Sequence, residues 1–577
     1  MAARRQTPAQ AQRTVDAAIA RGALVASEPR FATPAARRSE LRILDLERRG
    51  RQSVPAVATP RAVAGLLAGS DLNAGQREAV AMILSTRDRY VGVQGLAGTG
   101  KSHMLSKAVQ GIQQEAARLS ALRGFRVIGL APYASQNRAL AALGMESQTL
   151  ASLLARRREQ DRLDDRSIVF LDEAGVVPAH QLEKLMALIA QRHARLVLCG
   201  DRYQTHAVEA GKPFEQLQEA GMTKAFLTEI QRQRRESLRA AVVHAARGEI
   251  PSAVARLQHT VVEVRDDERR RALIARAYLQ LQPHERERTL IVAGTNEARR
   301  SINAHVRAGL ALPAGHEVRI LEPVDMTRAE LRSVQSYEIG QVIVPQRDYG
   351  EDLRRGEQLR VRDVHLDRTN PALTVQRQDG RLVTFNPARR SMLRVYLPEA
   401  AQMAPGDWVR ITANDPLTGV RNGERYRVAD VQAPHVALEG PAGSVRLDRS
   451  HALHLQHAYA STVHSAQGMT CERVLVDANT RSLSSNRAVF YVAISRAREH
   501  VSLFTDDASK LAAAMGREPK KFAALELRDI RNEAALLKAR LERLPGGVSA
   551  AQLAAQFRPA GSRDASELRG PRRKAAI

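Results

Sequence analysis

The sequence predicts an α/β protein: two helix-covered parallel sheets of the P-loop kind, with a small all-β, SH3-like insertion in the second. Three observations predict it. Gly95-Leu96-Ala97-Gly98-Thr99-Gly100-Lys101-Ser102 follows a short apolar run, Tyr90 to Gln94, and precedes a helix-like segment, Met104 to Ala117; this is the strand–loop–helix context of a phosphate-binding loop. Apolar runs at 168–171 and 195–199 end in Asp172-Glu173 and Gly200-Asp201, with helical segments between. Parallel strands alternating with helices give that pattern, and they carry function at their carboxyl ends. From about 325 to 448 the texture changes to short β-like runs separated by turn signals.

In chain order, residues 1–70 are basic and rich in Pro and Ala, and read as a leader or small module. Within it, Gly22 to Val25 and Phe31 to Thr33 suggest a β-wing, and Arg37 to Arg48 a helix with Leu41, Ile43, Leu44 and Leu46 to bury. The first P-loop domain spans 71–225, opening on a helix at Leu72 to Val80. The second begins at 226–324, is interrupted by the β-rich insertion at 325–448, and resumes at 449–510. Inside the insertion, Pro405-Gly406-Asp407 and Asn422-Gly423 read as tight turns, and Trp408, the only tryptophan, as core. Residues 511–577 are charged helices and a basic tail, Arg569 to Lys574.

A chain of 577 residues with 44% hydrophobic and 26% charged residues is that of a multi-domain globular protein. No apolar run reaches membrane-spanning length, so no membrane insertion is expected. The start shows no signal-peptide core, and Cys199 and Cys471 read as free thiols, which together point to the cytoplasm. The net charge of +26 favours a polyanionic partner, nucleic acid first, over idle solvated arginine.

The chemistry follows from residue types. Glycines at Gly95, Gly98 and Gly100 let backbone N–H groups, Thr99 included, turn inward on phosphate oxygens. Lys101 suits the β- and γ-phosphates of ATP, and Ser102 with Asp172 suits Mg²⁺. Glu173 is placed to orient or deprotonate water. Gln204 supplies an amide near the γ-phosphate, and Gln76 an amide suited to an adenine edge. One arginine of Thr228 to Arg235 is expected to reach across a cleft. His451, His454 and His457 share a spacing of three, yet no Cys or carboxylate completes a metal site.

With these motifs in view, the chain resembles superfamily 1 helicases, and more narrowly the motor half of the TraI/TrwC-type conjugative relaxase-helicases. The resemblance covers roughly residues 15–510 and is most specific at 72–102, 129–132 with 147–150, 171–175, 200–214 and 464–498. It implies two RecA-like domains that sandwich ATP and move 5′ to 3′ along single-stranded DNA. It implies that Gln76 reads adenine, that Gln204 senses the γ-phosphate, and that Arg232 and Arg496 approach that phosphate from the second domain. Thr149, Thr462 and His464 match positions near the DNA. Tyr133 and Tyr203 depart from the family's usual residues. Family members begin with a relaxase domain that uses a tyrosine and three histidines; here no tyrosine precedes Tyr90 and no histidine precedes His103, so the chain is expected not to nick DNA, and a separate relaxase or other conjugation machinery is the implied partner. Two alternatives stay open: a RecD-like repair or recombination helicase, and a non-motor DNA-binding remnant of a relaxase.

Overall fold

In the computed structural model, residues 8–526 are described apart from 28–29, 119–123, 206–210, 328, 368, 391, 416, 441–442 and 519–522. The basic tail expected at 569–574 and the helices expected beyond residue 526 lie outside the described residues.

Near-continuous apolar runs suit strands buried on both faces. Five such runs, with the short polar strand Glu146–Thr149, build the first sheet. Its order is Glu146–Thr149, Arg126–Ala131, Ser167–Leu171, Arg195–Gly200, Tyr90–Gly95, Lys224–Leu227, every pair parallel. One face packs on Val80, Ile83, Met104, Leu105 and Ile112 of the flanking helices Ala74–Ser85 and Lys101–Arg118. The other packs on Leu182, Leu185, Met186 and Ile189 of helix Ala179–Gln191. The second sheet, also parallel throughout, runs Ala460–Thr462, Thr289–Ala293, Cys471–Asp477, Ala497–Thr505, Val261–Glu263. Among the described residues no helix is long and apolar enough to cross a membrane.

The leader is knit to the first sheet. Its helix Pro34–Gly50 buries Ile43, while Leu41 faces solvent at 49% exposure and Leu44 and Leu46 are half-buried. Burying Leu41 with the other three was the wrong expectation, because the apolar stripe of this helix is narrow and Glu40 and Glu47 take buried positions instead. Glu40 accepts from Gln216 Nε2 and from the backbone N–H groups of Ala524 and Leu525, so its charge is satisfied. The helix ends on Gly50, where a Cβ would lie 2.5 Å from the Tyr90 ring. The expected β-wing forms as Val25–Ser27 against Arg30–Ala32.

The β-rich segment is larger than one small barrel. Among the described residues its antiparallel strands run from His316 to His457, against an expected 325–448, and form two sheets. The first has six strands, with His316–Val324 paired along its whole length to Leu393–Met403. The second has five, ordered Gly443–Asp448, His435–Gly440, Arg425–Gln432, Trp408–Ile411, Leu455–His457. Each has its own core, around Leu359, Val361 and Leu373 in one and Val409, Tyr426 and Val436 in the other. Trp408 is half-buried beneath the Arg425 guanidinium, 4.2 Å from its ring centre. Gly406 and Gly423 adopt φ of 94° and 93°, the left-handed values their turns require.

Candidate functional site at the cleft between the two parallel sheets

The strand Tyr90–Gly95 delivers the glycine loop to the N-terminus of helix Lys101–Arg118. Gly98 and Gly100 take φ of 83° and 76°, so the loop turns as only glycine does freely. Lys101 folds back over it, its Nζ donating to Gly95 O (2.7 Å) and Leu96 O (3.3 Å). Thr99 is buried, with its hydroxyl donating to Leu96 O, while Ser102 is exposed at the helix start. Gln76 is buried as the N3 residue of a capping box with Asn73, and its Nε2 donates to Thr99 O at 3.0 Å. Its amide therefore props the loop here.

Asp172 and Glu173 sit at the carboxyl end of Ser167–Leu171. Asp172 Oδ1 accepts from the Glu173 N–H at 2.9 Å. Glu173 adopts φ 50°, a left-handed conformation that costs a non-glycine residue about 1–3 kcal/mol. Burial pushes both carboxyls above the usual carboxylate range; for Glu173 the Asp172 charge adds to this, and Lys101 opposes it for both. A carboxylate and a hydroxyl, Asp172 with Ser102, are hard oxygen donors of the kind Mg²⁺ takes, and a dication held by them would offset the cost of desolvating the carboxylate.

Asp201, at the end of Arg195–Gly200, is the acceptor hub. It receives Gln94 Nε2 at 3.0 Å, Tyr203 N–H at 3.1 Å, Gln204 Nε2 at 3.3 Å and the Tyr491 hydroxyl at 2.7 Å. Gln204 then accepts from two residues of the second domain, Gln467 Nε2 at 3.3 Å and Arg496 Nη2 at 3.5 Å.

Both arginines singled out in the sequence lie at this junction. Arg496 is 2% exposed at the C-cap of helix Arg487–Ser495, with Nε on Val492 O and Nη1 on Met469 O. Burial pushes its pKa down, and Glu173 is the first of the groups that oppose this. Arg232 donates to Ser495 O at 2.9 Å, and burial next to Arg496 pushes it down to about 10. The backbone N–H groups of Gln231 and Arg232 both donate to Gly98 O, at 2.8 and 3.1 Å. A Cβ on Gly98 would lie 2.6 Å from Arg232 Cβ. A cleft of about 350 Å³ remains against the loop, lined by Gly98, Gly100, Arg232, Arg234, Thr470 and Arg498. The loop, the acid pair, Arg232 of the connecting segment and Arg496 of the second domain thus meet at one place.

Residues 71–265 match the AAA domain family, and residues 457–504 the UvrD-like helicase C-terminal domain family. The multifunctional conjugation protein TraI of Escherichia coli K12 is 27% identical over 512 residues, covering 78% of this chain. The conjugal transfer protein TraA of Rhizobium radiobacter is 28% identical over 423 residues, covering 72% of this chain. Over most of its length this chain is therefore similar to conjugation proteins of the TraI and TraA kind. It spans 28% and 31% of the length of those two relatives. A Pif1 helicase solved in a study of unwinding at forked duplex DNA is 16% identical with a TM-score of 0.45, over 82% of this chain and 98% of that one.

A second cavity, about 960 Å³, opens between the second parallel sheet and the β-rich segment. Thr462 and His464 line it, with Thr295, Asn296, Arg394 and Arg410. The Arg410 guanidinium donates to the Ser465 hydroxyl, tying the β-rich segment to the 462–468 turn. Thr149 is not part of this lining; it caps helix Leu150–Ala155 of the first domain, its hydroxyl accepting from Ser152 N–H. Tyr133 is 43% exposed at the start of helix Ala134–Ala142, and Tyr203 accepts from Arg202 Nη2 at 2.8 Å. From the same first-domain helix Arg138 reaches Glu424 of the β-rich segment at 2.8 Å. Of the three spaced histidines, His454 packs edge-on to Tyr396 and His457 stacks on Tyr459, so those two face different neighbours. Sequence reasoning gave no role to Tyr491, Gln467, Arg234, Arg498 or Arg410. The arginine-dense stretches were visible, but nothing in their spacing says which guanidinium faces the cleft.

Proposed function

We propose that the chain is an ATP-dependent DNA helicase that moves 5′ to 3′ along single-stranded DNA and serves conjugative transfer in the cytoplasm, alongside a relaxase or other transfer proteins. The observation that carries this reading is the convergence of Lys101, Asp172, Glu173 and Gln204 of the first sheet's side with Arg496 of the second and with Arg232, on the segment that leads from one to the other. Ser102 and Asp172 would hold Mg²⁺, which when bound neutralises charge on the phosphate oxygens. Lys101 leaves its two loop carbonyls for the β/γ-phosphates. Glu173 orients the attacking water and takes its proton. Arg232 and Arg496 stabilise the charge that develops on the transferred phosphoryl group. Closure of the cleft on ATP and its reopening after hydrolysis shift one domain against the other, and a strand held along the Thr462–His464 groove is drawn forward. The extent of the TraI and TraA matches supports the conjugative setting over a repair role.

ATP hydrolysis measured with and without single-stranded DNA, together with unwinding of a 5′-tailed duplex, tests the reading. Lys101→Ala is expected to abolish hydrolysis, because it removes the charge that holds the β/γ-phosphates; circular dichroism checks that the variant is folded. Residual turnover near wild type would remove Lys101 from the phosphate site. DNA affinity is expected to fall linearly with log salt, with a slope of about −0.7 per phosphate contact on a single strand. A flat titration would mean that the +26 charge is idle surface.

A further inference from the structure

Helix Arg487–Ser495 ends on Arg496, and a little more than a turn earlier it carries Tyr491, whose side chain has no solvent exposure. The Tyr491 hydroxyl donates to Asp201 Oδ2 at 2.7 Å and accepts from the Ala97 N–H of the glycine loop, also at 2.7 Å. One oxygen thereby joins the loop, the strand-end carboxylate and the helix that presents Arg496. The connection closes on itself. Tyr491 holds Asp201, Asp201 holds Gln204, Gln204 accepts from Arg496, and the helix returns from Arg496 to Tyr491. Three of these links cross between the two domains: Tyr491 to Ala97, Tyr491 to Asp201 and Arg496 to Gln204. A hydroxyl both donates and accepts, and here each capacity is spent on a different segment of the first domain. Phenylalanine fills the same space and makes neither bond.

We propose that Tyr491 is a positioning residue that fixes the register between the glycine loop and Arg496, so that DNA-stimulated turnover depends on its hydroxyl. This rests on the ATP-hydrolysing reading above, and the residue acts through Ala97 and Asp201 rather than on the nucleotide itself. If Arg496 and the loop move as one unit through this oxygen, cutting the link leaves nucleotide in place but Arg496 out of line with the reacting phosphate.

The test uses Tyr491→Phe in the full chain. The expected result is a kcat for DNA-stimulated ATP hydrolysis lowered by at least about tenfold, with KM for ATP, affinity for fluorescent ADP and affinity for single-stranded DNA each within about twofold of wild type. Asp201→Asn should then cost less kcat in the Tyr491→Phe background than it does alone, because both changes cut one link. Unchanged kcat in Tyr491→Phe beside an active wild type overturns the relay alone, as do strictly multiplicative losses in the double variant. Loss of ADP binding together with turnover also overturns it, by assigning Tyr491 a merely structural part. A wild-type chain that hydrolyses no ATP in the presence of DNA removes the motor reading, and the relay with it.

Discussion

Arg496→Ala is expected to lower DNA-stimulated ATP turnover by about 10³–10⁵-fold, the range such arginines supply in phosphoryl transfer, while binding to single-stranded DNA persists. The size of the effect follows from where the charge sits. The guanidinium is almost wholly buried, and its hydrogen bonds go to two backbone carbonyls and the Gln204 amide. Such a cation is costly to bury and gains most when negative charge appears beside it. It is also pre-positioned, because its own helix is pinned to the opposite domain at Asp201. Turnover with and without DNA, read against DNA binding by fluorescence anisotropy, checks this. Preserved hydrolysis with collapsed DNA binding would place Arg496 on the DNA track.

Glu173→Gln is expected to retain nucleotide binding and lose about 10²–10⁴-fold in turnover, the contribution of a positioned general base. The substitution is nearly isosteric, so the left-handed backbone and the Glu173 N–H to Asp172 Oδ1 bond survive. What disappears is a group able to accept a proton. The strained φ supports the assignment, since backbone of this kind persists only where its surroundings hold it, and such positions cluster at functional sites. Fluorescent nucleotide binding alongside single-turnover hydrolysis separates the two effects, and normal turnover would contradict the role given to Glu173.

What could be read from sequence was what is local in the chain. Tyr90 to Ser102 is strand, loop and helix start in one stretch, and Asp172-Glu173 ends an apolar run, so each announces its position in the fold. Tyr491 does not. It lies inside the apolar run Val489 to Ile494, where an aromatic ring reads as core, and only the meeting of the two sheets gives its hydroxyl two partners. Gln467 is similar: its amide acquires meaning from Thr205 and Gln204, far away in sequence. In the β-rich segment, Trp408–Ile411 is legible as one of the short β-like runs because the turns at Pro405-Gly406-Asp407 and Asn422-Gly423 flank it. The long pair His316–Val324 and Leu393–Met403 was missed. Each contains a proline, Pro323 and Pro398, and proline argues against a central strand.

The placement of the β-rich segment bears on how the chain folds. Strand Thr289–Ala293 must pair with Ala460–Thr462, and the whole segment intervenes. For a flexible loop, closure costs only about 0.6 kcal/mol more for each doubling of length, but pairings so distant in sequence slow the search. The segment's two ends shorten that search. The Leu321 N–H donates to Leu453 O and the Leu453 N–H to Arg319 O, at 2.9 and 2.8 Å. Once those bonds form, the flanking strands of the second parallel sheet are delivered side by side, and a distant pairing becomes a nearly local one.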